Sequence, residues 1–179
     1  MMLNPDIPES MQLEHYIDSW AVEILRKYRA TVSDDAPKPQ RAKAHAFGYV
    51  ACALSDPMSF EAYIEVASSS VVTTSFENVD SYFEQGQSFQ LWVSEVRDCI
   101  RAGGGPPSPW LLFENSVILW CMGHGLAHGM SKGPLRFFPE DLKRDLLGPI
   151  IDMSFSSLYR RLGLSFDGFE DRPVIRPPG

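Results

Sequence analysis

Apolar residues recur along this chain in steps of three and four, the spacing of one face of a helix. The first such stripe is Leu13, Tyr16, Ile17, Trp20, Ile24 and Tyr28. Ser10 is placed to cap that helix, and Ser33-Asp34-Asp35-Ala36-Pro37-Lys38-Pro39 ends it. An Ala-rich helix over about 39–54 follows, with Phe47, Val50 and Leu54 on one side. Asp56-Pro57 then supplies a cap and a first-turn proline for a short helix to about Val66. Residues Ala67 to Ser75 lean towards β-structure but have no partner strand, so a loop is expected there. A long helix over about 76–101 carries Phe76, Val79, Phe83, Val93, Val96 and Ile100 on one stripe, and Gly103-Gly104-Gly105-Pro106-Pro107 breaks it.

Ser108-Pro109 opens the next helix, which runs to about Met130 and is apolar nearly all round. A helix with no polar face is expected to be buried on several sides. Lys132-Gly133-Pro134 closes it. The last helical region runs from Pro139 to Leu162, with Glu140 and Asp141 at its N-terminal end and Arg160 and Arg161 at its C-terminal end, as the helix dipole favours. Gly148-Pro149 is expected to kink or split it. The pattern predicts an all-α fold, a single helical bundle of about six helices over 11–164. An N-terminal arm (1–10) and a C-terminal tail (165–179) flank it.

At 179 residues the chain is long enough to bury a core without disulfides or metal. Its net charge of −7 weighs against binding to a phosphate backbone, which needs concentrated Lys and Arg. Up to His45 the basic residues Arg26, Lys27, Arg29, Lys38, Arg41 and Lys43 are matched by acids, so no basic module stands out there. Cys52, Cys99 and Cys121 each lie in an apolar stretch and read as buried free thiols. No signal-peptide pattern opens the sequence and no apolar run is long enough to span a bilayer, so a soluble cytoplasmic protein is expected.

Catalytic and metal motifs are weak. Gly129-Met130-Ser131-Lys132-Gly133 matches the G-x-S-x-G nucleophile pattern, but a helix precedes Ser131 where that chemistry needs a strand. It reads as a helix C-terminus. Cys121, His124 and His128 share a helix face, yet Cys121 and His128 stand about 10 Å apart along the axis, too far for one ion. His124 and His128 form at most a chelating pair, with no companion motif to complete it. No catalytic residue, metal or cofactor is therefore expected. The 21 aromatic residues are spread over all the early helices, where they either fill a core or line a cavity for an apolar ligand.

Three segments in order carry a family resemblance. Gly48-Tyr49-Val50-Ala51-Cys52-Ala53-Leu54-Ser55-Asp56-Pro57 looks like a helix end with Tyr and Pro landmarks, with Cys52 departing from the pattern. Arg97-Asp98-Cys99-Ile100-Arg101-Ala102-Gly103 looks like a helix running into an Ala-Gly turn. Trp120-Cys121-Met122-Gly123-His124-Gly125-Leu126-Ala127-His128 carries a Trp…His-Gly signature. Together, over Leu13 to Leu164, they resemble the C-terminal ligand-binding and dimerisation domain of TetR-family transcriptional regulators. Members of that family begin with a helix-turn-helix module, to which nothing before Leu13 corresponds, so no direct DNA binding by this chain is expected.

The resemblance implies a small-molecule-binding, non-catalytic regulatory domain that forms a homodimer. The alternatives are an interaction partner that heterodimerises with a full-length regulator, and a small helical enzyme using His124 and His128. It implies a pocket inside the subunit, walled by Trp20, Phe60, Tyr63, Phe83, Trp92, Phe113 and Trp120, with His124 orienting an apolar or aromatic ligand. It also implies a four-helix dimer interface from the helix at 109–131 and the last helix, whose second apolar band is Ile150, Ile151, Phe155, Leu158 and Tyr159.

Overall fold

A computed structural model describes residues 9–70 and 86–161, with side chains over 15–65 and 86–160. The described residues form six α-helices and no strand: α1 (Glu9–Arg29), α2 (Lys38–Ser55), α3 (Pro57–Ser70), α4 (Gln87–Ala102), α5 (Pro109–Ser131) and α6 (Glu140–Arg161). A single 3₁₀ turn, Pro134–Phe137, joins α5 to α6. The chain is all-α. Among the described residues no helix is long and apolar enough to cross a membrane.

Helix α2 is the hub, packing against all five other helices. Its sequence explains why. Ala42, Ala44, Val50 and Ala53 are fully enclosed, and such small side chains let neighbouring helices approach from several directions. At Gly48 the approach is closest: a Cβ there would lie 3.1 Å from Tyr28 Cβ and 3.3 Å from Leu25 Cα on α1. On α1 the buried line runs through Ile17, Ala21 and Leu25, while Trp20, Ile24 and Tyr28 flank it half-buried and Tyr16 is exposed.

Short-range signals in the sequence are realised at several helix ends. Asp56 Oδ1 accepts from the backbone N–H groups of Met58 (3.1 Å) and Ser59 (3.0 Å), capping α3. Ser108 Oγ accepts from Leu111 N at 3.2 Å, capping α5. After α4 the backbone reverses through Gly104 at φ +78°, a conformation that favours glycine. Gly105 N then reaches back to the Ile100 carbonyl at 3.1 Å.

Other expectations are corrected. Ser10 lies inside α1 rather than ahead of it. Helix α3 continues through 67–70, part of the stretch expected to be a loop, while 71–75 lie outside the described residues. Of the helix expected over about 76–101, residues 76–85 lie outside the described residues, and the described helix begins at Gln87, after Gly86 as an extended N-cap residue with ψ 158°. That start is anchored by Asp18 of α1, whose carboxylate accepts from Gln87 N (2.7 Å), Ser88 N (3.1 Å) and Ser88 Oγ (2.5 Å). A Cβ at residue 86 would sit 2.8 Å from Asp18 Oδ1, so any larger residue there displaces the capping carboxylate. Pro149 does not split α6, which stays helical from Glu140 to Arg161.

The remaining corrections concern exposure. Cys52 and Cys99 are buried, and burial pushes both thiols up to about 12, but Cys121 is exposed on the outer side of α5. Ile151, Phe155, Leu158 and Tyr159 do not form an outward band. All four are buried in the chain's own core, where α6 packs on α2 and α5. Large apolar side chains that do face solvent include Trp110, Ile118 and Met122 on α5 and Leu142 and Met153 on α6, besides Tyr16 on α1, Met58 on α3 and Phe137 and Phe138 between α5 and α6.

Two sets of charges tie the helices together. Lys43, buried on α2, pairs with Asp152 of α6. Arg29 of α1 bonds Glu95 of α4 at 3.2 Å, and Arg41 of α2 stands 3.7 Å from the same carboxylate. Arg41 Nε and Glu95 Oε2 find no hydrogen-bond partner among the described residues, so this cluster fixes helix register at some cost in desolvation.

Candidate functional site

The interior site is assembled from α2, α3, α4 and α5. Helix α2 presents His45 and Tyr49 one turn apart, α3 presents Phe60 and Tyr63, α4 presents Trp92, and α5 presents Trp120 and His124. Their rings form two contact groups. Tyr49 meets Phe60 edge-on with centroids 5.4 Å apart, and Phe60 stacks on His124 at 6.2 Å. His124 in turn stacks on Trp120 at 5.3 Å. On the other side His45 lies 5.6 Å from Trp92, whose indole N–H donates to the Ser116 carbonyl at 3.1 Å.

Several polar atoms in this shell are held by a neighbour. The Tyr49 hydroxyl and His124 Nδ1 are 3.2 Å apart, the donor depending on the imidazole tautomer. The Tyr63 hydroxyl is 3.0 Å from Ser88 Oγ, which donates to Asp18, so the α4 cap and the aromatic shell share one hydrogen-bond chain. His45, Tyr49, Tyr63, Trp92 and Trp120, with Gly123, bound a cavity of about 20 Å³. That is room for about one water molecule.

Burial keeps the shell neutral. It lowers His45 to about 3, with the Arg29 charge acting in the same direction. His124 is lowered by burial and by the nearby His128. Burial raises Tyr63 to about 12 and raises Tyr49 further still. Near neutral pH the site therefore offers uncharged donors and acceptors set in aromatic surface, suited to orienting a ligand by a few hydrogen bonds.

Of the residues singled out in the sequence, Tyr63, Trp92 and Trp120 line the cavity, and Phe60 and His124 stand in the ring chain beside it. Trp20 packs half-buried against the core away from the cavity. Phe113 is near the start of α5, its ring 5.7 Å from Trp110, and is also not at the cavity. Phe83 lies outside the described residues. The structure adds His45 and Tyr49 to the site. Their signal is the i, i+3/i+4 series Ala42, His45, Tyr49, Ala53 in α2, which puts a histidine and a tyrosine on a face otherwise made of alanine.

Ser131 of the G-x-S-x-G segment and the histidines of α5 are all helical. The Ser131 hydroxyl donates to the Ala127 carbonyl at 2.8 Å, and Gly133 closes the helix by bonding back to the His128 carbonyl at 2.8 Å. The G-x-S-x-G segment is thus a helix C-terminus, whose second glycine lets the chain fold back onto Gly129. Among the described residues no three His, Cys, Asp or Glu side chains converge as a metal site would need. In comparisons with known proteins, the chain matches no family model, no curated protein and no solved structure.

Proposed function

We propose that this chain is a small-molecule-binding, dimeric regulatory domain of the TetR kind, without catalysis. The observation that carries the reading is the set of neutral polar groups in an aromatic shell at a cavity: buried His45 and Tyr63, half-buried Tyr49, and half-buried His124 beside them. A core that only packs gains nothing from this many polar atoms, whereas a pocket that orients an apolar or planar aromatic ligand uses them. With a volume of about 20 Å³, ligand entry requires α3 or α5 to give way. The exposed Ile118 and Met122 on α5 and Leu142 and Met153 on α6 favour self-association through those two helices.

The test is a thermal-shift panel of planar aromatic and alkyl ligands on the wild type and on Gly123→Leu. Gly123 lines the cavity, and even a Cβ there reaches within 3.7 Å of Tyr49, so leucine fills the space a ligand would take. A true ligand at a hundredfold excess over its Kd stabilises the wild type by about 2.7 kcal/mol and leaves the variant unmoved. No shift across the panel, together with a monomer in sedimentation at micromolar concentration, overturns the reading.

A further inference from the structure

Away from the interior cavity, α1, the end of α2 and the start of α6 enclose a half-open groove of about 430 Å³. This volume falls in the range of small-molecule sites, about 300–1,000 Å³. Ile24, Phe47, Ala51, Leu54 and Leu147 give it apolar walls. Three cations, Lys27, Lys143 and Arg144, line it as well, and Glu140 is the only carboxylate among its lining residues.

These cations are not equivalent. Lys143 is more than nine-tenths buried, an unusual position for a lysine, and bonds Glu140 at 2.6 Å. Lys27 pairs with Glu23 at 2.8 Å on the open surface, where water competes for the contact. Arg144 has no hydrogen-bond or ion-pair partner among the described residues. A guanidinium is suited to a carboxylate because its planar fork donates two parallel hydrogen bonds. The groove also abuts the first turns of α6, whose N-terminal dipole favours negative charge.

The geometry points to a second ligand site in this groove, for a dissolved amphipathic carboxylate such as a medium-length alkyl or arylalkyl acid. The apolar walls take the tail, and Arg144, Lys143 and Lys27 take the head. A purely apolar ligand leaves the rim cations unused, and a compact inorganic anion leaves the walls wet. An amphipathic cation meets a lining in which three cations outnumber one carboxylate.

The experiment is calorimetric titration of the full chain with decanoate below its micelle concentration, with decyltrimethylammonium as the comparator. Decanoate binds saturably, and the cationic comparator binds at least about tenfold more weakly, the scale of one charge-assisted contact. The double variant Lys27→Ala/Arg144→Ala, altering two exposed side chains, loses about tenfold in decanoate affinity while its circular dichroism is unchanged. Ala51→Trp fills the groove and abolishes uptake. The proposal is overturned if decanoate fails to bind saturably, or if it and the cation bind alike and the double variant changes nothing. It is equally overturned if binding survives Ala51→Trp but is lost in Gly123→Leu. That last result assigns the ligand to the interior cavity and leaves the preceding section's reading standing.

Discussion

His45 makes the stability of this fold depend on pH in a window where few other groups titrate. Its ring is 3% exposed, lies beside Trp92 and near the Arg29 charge, and is held at about 3 against an ordinary value of 6.5. The native ring is thus neutral at pH 7 and still neutral at pH 5. In the unfolded chain the same ring protonates through 6.5. With the folded value lowered, the unfolded state binds more protons below 6.5, so stability falls as pH falls from about 6.5 towards 3. Between pH 7 and pH 5 the loss from this one residue is about 2 kcal/mol. At an m-value of about 2 kcal/mol per molar, that is about 1 M in the urea midpoint.

The comparison that isolates this effect is His45→Gln, which keeps a polar side chain of similar reach and does not titrate. The variant is expected to be less stable than the wild type at pH 7, because the Trp92 contact is lost. Its further loss between pH 7 and pH 5 should be smaller by about 2 kcal/mol. Half-buried His124 is shifted in the same direction, so a slope remains in His45→Gln and shrinks again in the double variant with His124→Gln. The lowered carboxyls of Asp56 and Glu23 act below the ordinary carboxylate range and stay outside this window. Parallel urea midpoints for wild type and His45→Gln at both pH values would refute the argument.

Asp18→Ala removes the acceptor for two backbone N–H groups and one hydroxyl at the start of α4. Since Ser88 is buried, the expected loss is about 2–3 kcal/mol in urea unfolding, and a change below the scatter of replicate curves would count against the cap. Glycine-to-alanine changes near the end of α5 should have opposite signs. Gly125→Ala meets nothing within 4 Å and stabilises by up to about 1 kcal/mol, whereas Gly133→Ala places a Cβ 2.7 Å from Gly129 Cα and destabilises by about 1–3 kcal/mol. Equal melting temperatures for the two variants would contradict that contrast.

Helix content and most helix ends are legible in the residue order because they rest on contacts a few residues long. Asp56 caps α3 from one position ahead of it, Ser108 does the same for α5, and Gly104 supplies the positive φ after α4. The aromatic and histidine positions of α3, α4 and α5 are equally readable, because a helical period puts Phe60 with Tyr63 and Trp120 with His124 on shared faces. What the residue order does not settle is which face meets which neighbour. Gly86 starts α4 only because Asp18, on another helix, lies against it. Leu158 and Tyr159 turn inward while Met153 on the same helix faces solvent, a division set by where α2 and α5 lie. The apolar surface of α5 foretells burial on several sides, yet Cys121 and Met122 remain exposed where no described element covers them. His45 and Tyr49 become site residues only when α2 is the hub, since the neighbouring helices enclose the face that carries them. Local hydrogen bonds and periodicity are written in adjacent residues, whereas burial and the pKa of His45 depend on surfaces brought together from distant parts of the chain.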